Sequence, residues 1–177
     1  MSEIKVNLPK TKLAMKANLP NKEPDILKYW DTINLYELQK QTFSKREKFI
    51  LHDGPPYANG DIHIGTALNK VLKDIVVKFQ SVGLQKYSPY VPGWDCHGLP
   101  IEWKIEELNK KKGVDKTKLS VNEFRGQCRD FASKWIDIQK NQFKRLGVIG
   151  DWENYYSTMS NEAEAIIAKE ILKFLKN

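Results

Sequence analysis

Residues 48–83 read as a strand, a loop rich in glycine and proline, and a helix, in that order. Residues 49–51 form a short apolar run, typical of a parallel strand buried on both faces. The loop at residues 53–60 carries two glycines and two prolines, which interrupt a strand and let backbone approach a ligand closely. Such a loop before a helix predicts a phosphate site, because the helix N-terminus presents free N–H groups and a positive dipole.

The helix that follows this loop is amphipathic. Apolar residues recur at helical spacing, and Gly83 is a suitable stop: Leu68, Val71, Leu72, Ile75 and Phe79.

The common phosphate-binding motifs do not match the loop. A Walker loop ends in Gly-Lys-Ser/Thr, whereas Gly60 is followed by Asp61, and the dinucleotide motif G-x-G-x-x-G is also absent. Asn59-Gly60 alone would suit a hairpin turn. A hairpin is the weaker interpretation, because the loop side has no strand of alternating apolar and polar residues.

Two longer blocks resemble a known family. His63-Ile64-Gly65-Thr66 resembles the "HIGH" signature of class I aminoacyl-tRNA synthetases. The residues around it (52–60, 67–70 and 72–74) and the block at residues 92–102 resemble the isoleucyl-tRNA synthetases of that class. The N-terminal sequence at residues 7–11 and 17–20 also resembles the start of bacterial isoleucyl enzymes.

The resemblance implies an α/β fold. Residues 48–177 would be the first half of a Rossmann-like nucleotide-binding fold, with parallel strands and flanking helices, truncated before an editing insertion. Residues 1–47 would form an N-terminal arm and helix. The remainder of a synthetase would supply the editing domain, the second catalytic half and the anticodon-binding domain.

The implied reaction is activation of isoleucine by ATP, with Mg²⁺ as part of the nucleotide substrate, and transfer to tRNA(Ile). Activation is an in-line attack on the α-phosphate, which depends on positioning and charge stabilisation. Family resemblance assigns catalysis to His63 and Thr66. It assigns ATP binding to Tyr57, Ala58, Asn59, Gly60, His63, Gly65, Thr66 and Asn69. Amino-acid binding falls to Gly54, Pro55 and Asp95, with the Asp95 carboxylate facing the substrate ammonium.

Thr66 departs from the family pattern, which usually has a second histidine there. The chain also lacks a lysine-serine motif of the "KMSKS" kind. Two hypotheses therefore stand: the N-terminal portion of an isoleucine-activating enzyme, inactive in isolation, or a truncated, non-catalytic paralogue that binds nucleotide or RNA. A small nucleotidyltransferase would not explain the block around Asp95.

Composition sets further bounds. Lys and Arg exceed Asp and Glu by 29 to 22, which suits a polyanion such as tRNA but equally a solvated basic surface. No apolar run reaches the ~18 residues of a membrane span, and a signal peptide is not evident, so we expect a cytoplasmic protein without a membrane partner. Cys96-His97 has no second pair of ligands, so we expect no protein-bound metal in this segment.

Residues outside the two blocks predict mainly helices. A short helix should start with Pro24 in its first turn, after an extended arm at residues 1–22. A short or irregular second strand is expected at residues 87–92, because it contains prolines. Residues 106–118 suggest an exposed lysine-rich connection, with tRNA docking as an alternative.

Two more helices are predicted near the C-terminal end. Ser120 and Glu123 form a capping box, followed by a long helix whose apolar positions we assign to the core: Phe124, Cys128, Phe131, Trp135 and Ile138. A last helix after Ser160 has an apolar face composed of Ala163, Ile166, Ile167, Ile171, Phe174 and Leu175.

Overall fold

The computed structural model describes residues 11–12 and 14–176. Helices dominate this part of the chain: α1 (Leu19–Thr32), α2 (Leu35–Phe43), α3 (Ile64–Lys78), α4 (Leu99–Lys111), α5 (Val121–Arg145) and α6 (Asn161–Lys176). A π-helical turn, Phe79–Gly83, extends α3, and a 3₁₀ turn, Lys116–Lys118, precedes α5.

Three extended segments lie side by side in parallel. Strand β1 (Gly93–Trp94) pairs with β2 (Tyr156–Ser157). The middle segment, residues 87–95, contains β1. Through its other edge it pairs with residues 48–57, which precede α3, at the bridges Lys48–Tyr87 and Tyr57–Asp95. Parallel strands flanked by helices confirm the predicted α/β fold, although each regular strand is only two residues long.

The first predicted strand is wrong in its details. Residues 49–51 make no regular strand, because the pairing is confined to a single bridge at Lys48. Ile50 is 58% exposed rather than buried, since no described element covers its side of the segment. The second predicted strand is irregular, as expected. Pro89 and Pro92 lack N–H donors, and the regular strand starts only at Gly93.

Two predicted boundaries also change. Helix α1 begins at Leu19 with Pro20 in its first turn, so Pro24 lies inside the helix and residues 19–22 are not part of an arm. Residues 1–10 of the predicted arm lie outside the described residues. The connection predicted at residues 106–118 is partly helical, because α4 continues to Lys111 and buries Asn109.

Helix α5 begins as predicted, since the Ser120 side chain and Glu123 form a complete capping box. Its fully buried positions, however, are Ala132, Ile136, Gln139 and Phe143. The predicted core positions are half-buried beside this stripe: Phe124, Cys128, Phe131, Trp135 and Ile138. The core lies between α5 and the sheet, where the ring of Trp94 is 6.4 Å from that of Phe143 and 6.2 Å from that of Trp152.

Helix α3 is confirmed, and the π-helical turn that extends it ends at the predicted Gly83, but the apolar stripe of the helix faces outward. Leu68, Leu72, Ile75 and Phe79 are each more than half exposed, and the buried positions are Lys70, Asp74 and Val77. On α6 only Ala163 of the predicted apolar face is buried. None of the described helices is long and apolar enough to cross a lipid bilayer.

Candidate active site

The predicted nucleotide and amino-acid residues meet at one sheet edge. We call residues 53–62 the nucleotide loop. The Ala58 N–H donates to the Asp95 carbonyl oxygen at 3.0 Å, and the Asp95 N–H donates to the Pro56 carbonyl oxygen at 2.9 Å. Tyr57 is therefore the parallel partner of Asp95. This pairing fixes the backbone of the loop against the backbone that carries the candidate ammonium-binding carboxylate.

His63 is the N-cap of α3. Its Nδ1 accepts the N–H groups of Gly65 at 3.1 Å and Thr66 at 3.3 Å. A neutral imidazole whose Nδ1 accepts carries its proton on Nε2, so the outer nitrogen is the donor. The imidazole is exposed. One side chain thus both begins the helix and offers an N–H group at the end that favours anions.

Gly65 packs closely against the imidazole of this cap. A Cβ added there would lie 3.0 Å from Cε1 of His63 and 3.1 Å from its Nδ1, tighter than ordinary contact. Thr66 is half-buried in the first turn, and Asn69 is exposed one turn further on. A Cβ at Gly60 would meet no described atom within 4 Å, so this part of the loop is open.

The amino-acid side of the site is narrow. The Asp95 carboxylate is half-buried, and its Oδ1 accepts the His97 N–H and the Thr158 hydroxyl, both at 3.4 Å. At Gly93 an added Cβ would lie 3.0 Å from the Tyr156 ring and 3.4 Å from Pro55. Glycine at this position therefore lets the loop and the strands approach without displacing the Tyr156 ring. Thr158 and Tyr156 belong to this site, and the sequence offered no signal for either.

A buried ionic cluster under the loop was also missed. Asp53, which is 5% exposed, forms ion pairs with Lys70 and, at 2.7 Å, with Lys73. Its Oδ2 also accepts the Gly93 N–H at 2.9 Å. Lys73 further donates to the Gly54 carbonyl oxygen at 3.0 Å. The Asp53 cluster (Asp53, Lys70 and Lys73) thereby joins the loop, α3 and β1.

Burial alone would raise the pKa of Asp53, but Lys70, Lys73 and the Gly93 N–H outweigh it and hold that pKa below its usual range. Burial lowers the pKa of the Lys70 ammonium, and Asp53 offsets part of that effect. The Lys70 ammonium also contacts the Tyr90 hydroxyl at 3.0 Å and lies over the Phe143 ring. A charged lysine inside the core is thus surrounded by partners.

Beyond Asp95, the side chain of His97 contacts α6. Its Nε2 lies 3.2 Å from Glu164 Oε1, and Arg129 of α5 forms an ion pair with the same carboxylate. Among the described residues no group of three or more His, Cys, Asp or Glu side chains could hold a metal ion. The outer nitrogen of His63 and the N-terminus of α3 suit an anionic nucleotide, and the Asp95 carboxylate suits an ammonium group.

Comparison with known proteins agrees with this geometry. The chain is 64% identical over 176 residues to an isoleucine–tRNA ligase of Pelagibacter ubique, a match that covers 99% of this chain and 19% of that protein. It is 57% identical to the isoleucine–tRNA ligase of Bradyrhizobium diazoefficiens, over 96% of this chain and 17% of that protein. The chain therefore spans about a fifth of the length of these relatives.

A solved structure shows the same fold. It is the ternary complex of Agrobacterium radiobacter K84 agnB2 LeuRS with tRNA and LeuAMS, which matches with a TM-score of 0.66 at 22% identity. The match covers 91% of this chain and 18% of that one. The family model for tRNA synthetases class I (I, L, M and V) matches residues 25–177. The chain therefore belongs to the class I aminoacyl-tRNA synthetases.

Proposed function

We propose that this chain is the N-terminal part of an isoleucine–tRNA ligase, and that residues 48–177 supply half of its catalytic domain. The reaction joins isoleucine to the α-phosphate of ATP, releases pyrophosphate, and then transfers the isoleucyl group to tRNA(Ile). The observation that carries the proposal is the parallel pairing of Tyr57 with Asp95, which brings an anion-favouring loop next to a carboxylate. The similarity to isoleucine–tRNA ligases supports the choice of amino acid.

The proposed role of each residue comes from the family resemblance, and the surroundings of His63 and Asp95 support the roles of these two. The His63 Nε2–H and the N-terminus of α3 stabilise the phosphate charge, while ATP brings Mg²⁺ with it. Thr66 offers a hydroxyl from the first helical turn. Asp95 pairs with the isoleucine ammonium, and Gly54 and Pro55 form the opposite wall. Tyr57, Ala58, Asn59, Gly60, Gly65 and Asn69 line the nucleotide side. A cytoplasmic location remains a prediction.

The remainder of a synthetase is the proposed partner of the exposed apolar faces. α3 and α6 present Leu72, Ile75, Ile171 and Phe174 outward, each more than half exposed. Large exposed apolar patches mark interaction sites, and this chain spans only a fifth of its relatives. We therefore expect the 177-residue chain to show no isoleucine-dependent pyrophosphate exchange near ordinary turnover, roughly 1–10³ s⁻¹.

The test uses a chimera in which this chain replaces the matching segment of the Pelagibacter ubique enzyme. Pyrophosphate exchange that requires isoleucine is the expected result. Asp95→Ala should raise the KM for isoleucine strongly, because an unpaired ammonium in a dry site costs about 2–5 kcal/mol, while the KM for ATP changes little. Asp25→Ala, exposed on α1, is the control. An Asp95→Ala effect below about threefold would remove this role from the proposal.

The second candidate is a non-catalytic paralogue that binds nucleotide or RNA, which Thr66 in place of a histidine favours. Thr66→His in the chimera separates the two. If Thr66 is a weaker form of the usual contact, the longer donor should raise kcat by roughly tenfold to a hundredfold. An inactive chimera that still binds ATP would support the paralogue. If Thr66→Ala equals the natural residue and Thr66→His is slower, Thr66 has no catalytic role.

A further inference from the structure

The core stripe of α5 contains one buried amide whose hydrogen-bonding groups are all engaged. Gln139 is 3% exposed. Its Oε1 accepts the indole N–H of Trp94 at 2.9 Å. Its Nε2 donates to the carbonyl oxygens of Tyr57 at 3.0 Å and Gly60 at 2.7 Å. Both amide hydrogens and the amide oxygen therefore have partners, as a buried amide requires.

A second glutamine extends the same contact by one helical turn. The Gln142 Oε1 accepts the Ile62 N–H at 3.0 Å, and its Nε2 donates to Asp61 Oδ1 at 2.6 Å. Side chains three residues apart lie on one face of a helix. Together the two glutamines contact both ends of residues 57–62, directly before the helix cap at His63.

Gln139 is distinguished by what it joins. Its donor side faces Tyr57 and Gly60, on either side of the candidate nucleotide contacts Ala58 and Asn59. Its acceptor side faces Trp94, the neighbour of Asp95. The loop has no regular secondary structure of its own apart from the bridge at Tyr57, so its course depends on these contacts.

We infer that Gln139 is a positioning residue of the active site: it fixes the nucleotide loop against Trp94 and so sets the distance between ATP and the amino acid at Asp95. This inference rests on the proposed function. Gln139 acts through the backbone of the loop and touches neither substrate. Its amide donates twice and accepts once, and glutamate has the same shape but lacks both donors, which makes it the informative substitution.

Gln139→Glu in the chimera keeps the shape and the acceptor for Trp94 but replaces both donors by an oxygen facing two carbonyls. Losing these two hydrogen bonds should raise the KM for ATP by at least about tenfold, with the KM for isoleucine within about twofold. Lowering the pH protonates the carboxylate and returns one donor, so ATP affinity should recover relative to the natural chimera. Gln41→Glu, exposed on α2, makes the same change of charge away from the loop.

Hydrogen exchange on the 177-residue chain tests the inference independently of catalysis. In Gln139→Glu the amides of Ala58 and Ile62 should exchange at least about tenfold faster, while Ala132 and Ile136 in α5 keep their protection. If glutamate prevents folding, Gln139→Met repeats this measurement without a charge. An inactive natural chimera would overturn the proposed function and leave the exchange result to decide. Unchanged loop exchange, or an equal rise in both KM values, overturns the inference.

Discussion

The two long faces of α3 and the π-helical turn that extends it have the same spacing and opposite character. One carries Leu68, Leu72, Ile75 and Phe79, and it is exposed. The other carries Lys70, Asp74, Val77 and Ser81, and it is buried. The usual arrangement of an amphipathic helix, with the apolar face on the core, is thus reversed among the described residues.

The buried polar face is stabilised by ion pairs and hydrogen bonds rather than by the burial of apolar surface. Lys70 pairs with Asp53, and Asp74 pairs with Lys78 and accepts the Ile149 N–H at 3.0 Å. The Asp53 pair ties α3 to the nucleotide loop and the Ile149 hydrogen bond ties it to the segment before β2, whereas the Lys78 pair lies within α3. One face of the helix thus contacts the nucleotide loop and the segment before β2, while the other is exposed and is the face that we propose for contact with the remainder of a synthetase.

Asp53→Ala should have the largest effect on the 177-residue chain. It leaves Lys70 buried without its counter-ion, which should lower the free energy of unfolding by about 3–5 kcal/mol. Urea unfolding measures this. Asp25→Ala, exposed on α1, should change it by less than about 0.5 kcal/mol. A loss below about 1 kcal/mol for Asp53→Ala would mean that the polar face is not what fixes α3.

Acid should lower the free energy of unfolding by less than Asp53→Ala does, because a protonated Asp53 still fills its space in the buried face. The folded-state pKa of Asp53 is depressed, so its contribution is present above the ordinary value near 3.8 and is lost as pH falls through the folded pKa. Thermal unfolding at a series of pH values should show a steeper acid loss for the natural chain than for Asp53→Asn. Parallel curves would contradict the lowered pKa.

The cap at the start of α3 contributes less. His63→Ala should cost about 1 kcal/mol of unfolding free energy, the usual value of an N-cap. His63→Asn keeps a capping acceptor but removes the Nε2 donor, so stability should be retained. In the chimera the asparagine variant should still lose about 1.5–3 kcal/mol of transition-state stabilisation in pyrophosphate exchange. Full activity with asparagine would show that His63 is a cap and nothing more.

The exposed apolar face should give the smallest effect in the isolated chain. Leu72→Ala should change the free energy of unfolding by no more than about 0.5 kcal/mol. The same change in the chimera should cost about 2–5 kcal/mol if the remainder of the synthetase covers this face. Equal small effects in both proteins would mean that Leu72 stays exposed. Ile136→Ala, in the core of α5, is the positive control for both.

Local features were predictable from the sequence, and long-range ones were not. The capping box at Ser120, the helix after His63 and its end at Gly83 each depend on a few neighbouring residues. The motif resemblance located Asp95 near the loop, and the structure pairs their backbones. The Asp53 cluster and Gln139 have no such signal, because their partners lie far away in the sequence and a helical pattern does not show which face a distant carboxylate will attract.

The short parallel strands also bear on how the chain is made. Every strand pairing joins distant parts of the sequence, with Lys48 opposite Tyr87 and Gly93 opposite Tyr156. The Thr158 hydroxyl that contacts Asp95 belongs to the last of these segments. During translation the helices can form as they emerge, since their contacts are local, but loop closure must precede the pairings. The contact between Thr158 and the candidate ammonium-binding Asp95 can therefore form only after Thr158 has left the ribosome.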